Sequence, residues 1–119
     1  MNGSNFKAYG VNLFTRCPSN PIVTTHNLPY PANSIFNAGT AMVDGWTVLL
    51  ARVEDMRGIS HLTVLRSKDG VSNWIADSKP SFLPDPERCP EELWGIEDPR
   101  ITFLEDLQVF AICYTAYSR

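Results

Sequence analysis

The sequence predicts an all-β fold in which antiparallel hairpins follow one another as about the first two blades of an incomplete β-propeller. Two observations carry this. Runs rich in Val, Leu, Ile, Thr and Trp are joined by Asp44-Gly45 and Asp69-Gly70, and Asp-Gly between two such runs is the strongest local hairpin signal. A later hairpin also overlies the first in strand, turn and strand order.

The elements follow in chain order. Residues 1–33 carry Pro18, Pro21, Pro29 and Pro31 among many Asn, Ser and Thr, which predicts an extended lead-in with one short strand from Pro21 to Thr25 and no helical periodicity. A strand from Ile35 to Val43, the Asp44-Gly45 turn and a strand from Trp46 to Val53 come next. The polar loop Glu54 to Gly58 leads to a strand from Ile59 to Ser67, and the Asp69-Gly70 turn to a short one from Asn73 to Ala76. Together they form a four-stranded meander. Asp77 to Leu93 holds Pro80, Pro84, Pro86 and Pro90 and reads as a long ordered loop of the kind that tends to carry function. A second hairpin spans Arg100 to Leu104 and Leu107 to Tyr117, turning at Glu105-Asp106. The chain thus divides into a lead-in, 1–33, and a β region, 34–119.

Setting Asn37 to Leu49 against Asp98 to Phe110 aligns the two hairpins at an offset of 98 minus 37, or 61 residues. A propeller blade typically repeats every 40 to 50 residues or so, and the proline-rich loop accounts for the excess. The competing account is that any two hairpins resemble each other this far.

Composition narrows the function classes. The chain has 119 residues, 44% hydrophobic and 11% aromatic, which suits one folded domain or part of one. A net charge of -3, with charges scattered, offers no basic face, so neither nucleic acid nor membrane is an expected partner. Met1 to Gly10 has one lysine and no apolar signal-like core, and the default expectation is a cytoplasmic protein. Cys17, Cys89 and Cys113 read as free thiols, Cys113 in the core and the other two in loops; His26 and His61 read as structural, with no metal-ligand spacing.

The chemistry-bearing stretch is Trp94-Gly95-Ile96-Glu97-Asp98-Pro99-Arg100. Pro99 lacks an amide hydrogen and disfavours helix at Asp98, so the segment should enter its strand extended. Successive side chains of an extended segment point to opposite faces, which predicts one working acid and not a carboxylate pair. The overlay puts Asn37 and Asp98 at equivalent positions, both facing the axial cavity of a propeller, so Asp98 is the acid and Glu97 is structural, held by Arg100 or a backbone amide. Arg52 and Arg57 bring positive charge to the same end. Taken singly, an early Asn is ordinary turn chemistry and a late Arg an ordinary solvated charge.

Phe36-Asn37-Ala38-Gly39, Arg52, Arg66-Ser67-Lys68-Asp69-Gly70 and Trp94 to Thr102 occur in the order seen in glycoside hydrolase family 130. The chain resembles the N-terminal part of that family's five-bladed β-propeller. The resemblance implies an enzyme that splits β-mannoside oligosaccharides with inversion, in most members by phosphorolysis to mannose 1-phosphate and in some by hydrolysis. It implies Asp98 as the general acid, relayed in the phosphorylases through a sugar hydroxyl, and Asn37, Arg52 and Arg57 as mannosyl-binding residues. Inorganic phosphate would be a co-substrate; no metal or organic cofactor is implied. Burial against Trp94 should raise the Asp98 pKa and Arg100 should lower it.

The family's phosphate-binding residues, and the base of its hydrolases, would lie beyond Arg119. The expectation is therefore a truncated gene product, inactive alone, that self-associates through the apolar edge strand Leu107 to Tyr117. A hydrolytic β-mannosidase and a non-catalytic sugar-binding or interaction domain are the alternatives.

Overall fold

The structure, a computed structural model, describes residues 14–119. Expectations for Met1 to Gly10 and for the start of the lead-in lie outside the described residues.

The strand expected from Pro21 to Thr25 is replaced by a single 3-10 turn, Thr25–Asn27. Local side-chain bonds account for this. The Thr24 hydroxyl accepts from the His26 amide at 3.3 Å, and Asn27 Oδ1 accepts from the Thr24 amide at 2.8 Å, a reciprocal cap that competes with any ladder. Ile22 and Val23 just before it pack against the cluster of Ala51, Leu65 and Trp74, so the lead-in lies on the first sheet.

Four antiparallel strands, β1 (Ser34–Val43), β2 (Trp46–Glu54), β3 (Ser60–Ser67) and β4 (Ile75–Ala76), form one sheet in sequence order, the meander that the sequence predicts. Asp44 and Gly45 turn β1 into β2 with φ of 49° and 75°, the twin left-handed geometry that matches strand twist. β4 is shorter than expected because Asn73 takes φ 51°, which breaks the ladder and lets Trp74 bury. Alternation along β2 and β3 feeds two small cores. Leu50 and Leu62 meet Ile96 on one face, and Ala51 and Leu65 meet Trp74 on the other. His61 is buried and structural, with Nε2 3.2 Å from the Tyr30 hydroxyl; burial pushes its pKa down.

The loop from Asp77 to Leu93 is ordered, as expected, because it borrows a strand's bonds. Phe82 exchanges both backbone bonds with Leu62, at 2.9 and 3.0 Å. Its far end forms a 3-10 turn, Pro90–Glu92, that buries Glu92. Glu92 Oε2 accepts from the Asp85 amide at 2.7 Å and Oε1 from the Tyr114 hydroxyl at 2.6 Å, which pushes the Tyr114 pKa up to about 12. Tyr114→Phe strips the donor from a buried carboxylate oxygen and is expected to cost about 2 kcal/mol, read from the urea midpoint.

A second, two-stranded sheet pairs β5 (Ile96–Leu104) with β6 (Val109–Ala116). β5 begins at Ile96, not at Arg100, because a bulge absorbs Pro99 without a lost ladder bond. Its turn runs over four residues, Glu105 to Gln108, and Gln108 carries φ 54°. The 61-residue offset therefore holds for the first strands only; the second strands pair as Val43 with Trp46 and Leu104 with Val109, an offset of 109 minus 46, or 63.

Cys113 is exposed and not a core residue, since β6 shows Val109, Phe110 and Ile112 to solvent as well. Cys17 and Cys89 are exposed loop residues. Among the described residues β6 pairs with β5 alone, so its outer edge is free. The hairpins touch where β1 meets β5, and a Cβ on Gly39 would stand 3.0 Å from the Pro99 carbonyl oxygen.

Candidate functional site

Twin bulges build the site. The β1–β2 register shifts between Phe36 and Gly39, and the β5–β6 register between Glu97 and Arg100. At each break one residue takes a left-handed backbone, Asn37 at φ 46° and Asp98 at 49°. Asn and Asp tolerate that region better than other L-residues, which suits these two types to the two positions. The bulges turn both side chains toward each other: Asn37 Nδ2 donates to Asp98 Oδ1 at 3.0 Å.

Arg52 completes the cluster from β2, opposite Phe36. Its Nη1 donates to Asp98 Oδ1 at 3.1 Å, Nη2 to Glu97 Oε1 at 2.8 Å and Nε to Ser60 Oγ at 3.0 Å. The guanidinium carbon lies 4.5 Å from the centre of the Phe36 ring. One guanidinium thus grips both carboxylates. The expectation that Glu97 and Asp98 face opposite ways fails because regular alternation stops at a bulge. Arg100 does not hold Glu97 either; it folds back on its own backbone, with Nη1 2.9 Å from the Pro99 carbonyl oxygen.

The Asp98 side chain is 38% exposed, whereas Arg52 and Glu97 are 15% and 19% exposed. The Asn37 amide and then the Arg52 guanidinium hold the Asp98 carboxyl below its ordinary pKa of 3.8. Burial still pushes the carboxyl up, but those two bonds outweigh it and leave the pKa lowered. Asp98 is therefore ionised at neutral pH in the free protein. Its Oδ1 takes both bonds, and Oδ2 accepts none among the described residues, which leaves that oxygen for a ligand.

A depressed native pKa adds stability that is complete above the unfolded value and is lost as pH falls through the native one. The Asp98 contribution should therefore be intact above about pH 5 and fade below pH 3.8, a trend that Asp98→Asn should flatten in acid titrations of the urea midpoint.

Asn37, Arg52 and Asp98 thus come together, and Glu97 joins them. Arg57 stays apart: its Nε and Nη2 clasp Asp55 Oδ2 at 3.0 and 2.7 Å, and its side chain is 79% exposed. Burial pushes the Asp55 carboxyl up, but the Arg57 side chain with the Ile59 and Arg57 amides outweighs it and leaves the pKa lowered. Glu97 and Ser60 are the partners that sequence reasoning misses. The available signal was the pair Asn37 and Asp98 at one overlay position, each a residue type that favours a left-handed bulge.

Among the described residues no group of three or more His, Cys, Asp or Glu is placed to hold a metal. No helix there is long and apolar enough to cross a membrane.

No protein-family profile matches the chain, and no curated protein matches it. Solved structures do. A candidate glycoside hydrolase from Parabacteroides distasonis ATCC 8503 superposes with a TM-score of 0.72 at 28% identity, over 87% of this chain and 35% of that one. A glycosyl hydrolase from Bacteroides ovatus gives 0.73 at 27%, over 87% and 34%. This chain is glycosidase-like. A candidate glycosidase from Bacteroides thetaiotaomicron VPI-5482 adds 0.67 at 29%, over 84% and 34%. The glycosidase-like chain spans about a third of the length of these structures.

Proposed function

We propose that this chain supplies the proton-donating and sugar-binding part of a five-bladed propeller enzyme like those of glycoside hydrolase family 130, which splits β-mannosides with inversion and uses inorganic phosphate to give mannose 1-phosphate. The cluster of Asn37, Arg52 and Asp98 carries this reading, a part-exposed acid with one oxygen that accepts no bond among the described residues, beside two donors suited to sugar hydroxyls.

The electrostatics fit a relay. In the free state Asp98 is an anion whose Oδ2 is open to a sugar hydroxyl. A sugar that draws the Asn37 and Arg52 donors to its own hydroxyls removes what stabilises the carboxylate, and the pKa rises toward the range of a working acid. Asp98, having taken up a proton from solvent, then donates it to that hydroxyl while the hydroxyl gives its own proton to the glycosidic oxygen, whose bond to the mannosyl carbon breaks as the nucleophile attacks from the opposite face. Inversion needs the attacking group on the opposite face of the ring. Glu97 shares one guanidinium with Asp98, so it stands on the acid's side and does not serve as that base. Attack by phosphate held elsewhere accords with this. Water is the second reading, favoured by the hydrolase names of the structural neighbours.

The test is Asp98→Asn in a protein that carries this chain within a closed propeller, assayed on β-linked mannobiose with and without phosphate. Cleavage should fall about a hundredfold or more. Mannose 1-phosphate as product supports phosphorolysis, free mannose without phosphate supports hydrolysis, and undiminished cleavage by the variant removes Asp98 from the acid role. Association between copies through the free edge of β6 belongs to the same proposal: Ile112→Lys should reduce the concentration-dependent apparent mass of the 119-residue chain in size-exclusion chromatography.

A further inference from the structure

The outer edge of β6 carries a defined pattern of unpaired backbone groups. The Tyr117 amide donates to the Gly95 carbonyl at 3.0 Å and the Tyr117 carbonyl accepts from the Trp94 amide at 2.9 Å, so at Tyr117 both groups point to the β5 side. Backbone direction alternates along a regular strand, and the bulge in this pair lies on β5 and not on β6. Val109, Ala111, Cys113 and Thr115 therefore spend their bonds on β5, whereas Phe110, Ile112, Tyr114 and Ala116 present theirs outward. We propose that this edge pairs with the same edge of a second copy, antiparallel about a two-fold axis at Cys113; this rests on the association between copies proposed above and gives it a register.

Symmetry selects that register. In an antiparallel pair related by a two-fold, facing residues share one side of the sheet, so one residue must sit opposite itself. With Cys113 there, Ile112 faces the partner's Tyr114 and Phe110 faces the partner's Ala116, and every outward residue exchanges both of its bonds. Centring the pair on Ile112 sets Ala116 against Gln108, whose φ of 54° takes it out of the strand. Centring it on Tyr114 sets Phe110 against Ser118, past the end of β6 at Ala116.

The side chains suit a second copy of the same strand. β6 reads Val-Phe-Ala-Ile-Cys-Tyr-Thr-Ala, with none of the charges that keep edges apart, so two copies meet without like-charge repulsion. Ile112, 51% exposed, gains a tyrosine ring as its cross-strand neighbour, an aromatic and β-branched pair. At the ladder ends the turn acids Glu105 and Asp106 of one copy lie beside Arg119 of the other, opposite in sign. The product is a four-stranded sheet, β5-β6-β6-β5, equal in strand number to the first sheet. Pairing consumes the edge of both copies, so assembly stops at two.

The test uses the 119-residue chain with Cys17→Ser and Cys89→Ser, which leaves Cys113 as its one thiol, followed by sedimentation equilibrium and by reaction with glutathione disulfide. A monomer and dimer in equilibrium are expected. In the dimer the two Cys113 residues form a pair that is not hydrogen-bonded, with Cα atoms about 4.5 Å apart, within disulfide range. The Cys113 thiolate attacks one sulfur of glutathione disulfide and releases one glutathione; the partner's Cys113 thiolate then displaces the second. Two protein thiols are oxidised and one glutathione disulfide is reduced to two thiols. A band at twice the mass of the chain should appear on a non-reducing gel in buffer and not in urea. Ile112→Pro removes an outward donor and costs no bond to β5, so it should leave the urea midpoint of the dilute chain near its original value. With one donor lost from each copy, it should weaken the dimer about tenfold.

Association without the Cys113 cross-link, or a dimer that Ile112→Pro leaves equally tight, overturns this pairing and leaves association between copies standing. A cross-link that forms equally in urea comes from chance collision and overturns it too. So does assembly beyond two copies, the mark of an open head-to-tail contact. A chain that stays monomeric at every concentration overturns both the pairing and the association.

Discussion

Arg52→Met is expected to destabilise the chain by about 3 kcal/mol, the low end of the cost of breaking a buried ion pair. Arg52 and Glu97 are mostly buried, at 15% and 19% exposed, and the low end applies because Asp98, at 38%, is screened by water. Methionine keeps the volume of the stem and removes the charge, which leaves two carboxylates facing each other and Ser60 Oγ without its donor. The loss should shrink when Glu97→Gln is added, since the like-charge contact is then gone, and a double-mutant cycle should give a coupling of about 1 to 2 kcal/mol. A second readout separates packing from electrostatics. Without Arg52 the Asp98 carboxyl keeps only the Asn37 bond, so its pKa should move back toward 3.8 in NMR titrations. An unchanged Asp98 titration in Arg52→Met would mean that Arg52 does not hold the acid.

Much of this arrangement was legible in the sequence, and the reasons differ by element. Asp44-Gly45 announced its hairpin because both residues must adopt positive φ, which few other pairs tolerate. The second turn was misplaced because Glu105 to Gln108 carries no glycine, and its left-handed residue is Gln108, a type with no such signature. Arg52 was placed at the same end as Asp98, but its reach to Glu97 and Ser60 was not foreseen. Side-chain alternation predicts faces only while the ladder is regular, and the bulge at Asp98 interrupts it where Asn37, Arg52 and Glu97 gather. Arg57 was grouped with Arg52 by proximity in sequence, but Asp55, two residues before it, claims its guanidinium. Cys113 looked like core because its neighbours are apolar, although nothing packs over that face of β6 among the described residues. Hydrophobicity shows what can be buried, and the tertiary partner decides whether it is.

Gly95→Ala is expected to be the most damaging single substitution, costing about 4 kcal/mol, of which roughly half is backbone strain and half overpacking. Gly95 carries φ 118°, a conformation that an alanine resists, and a Cβ there would lie 2.7 Å from both the backbone nitrogen and oxygen of Ser60. Neither contact is with a flexible side chain, so the strands themselves must part. Gly95 bridges to Ser60 at the start of β3, and the next residue, Ile96, fills the core between Leu50 and Leu62 with no exposed surface. Displacing this segment would draw Glu97 and Asp98 away from Arg52, joining stability to the integrity of the site. Gly58→Ala is the matched control. It carries φ 82° with nothing within 4 Å of the place an added methyl would take, so it should lose only the strain, about 1 to 2 kcal/mol. Urea unfolding of the two variants side by side reads the difference directly. If Gly95→Ala proves no worse than Gly58→Ala, the close approach of β5 to β3 is not what fixes the acid in place.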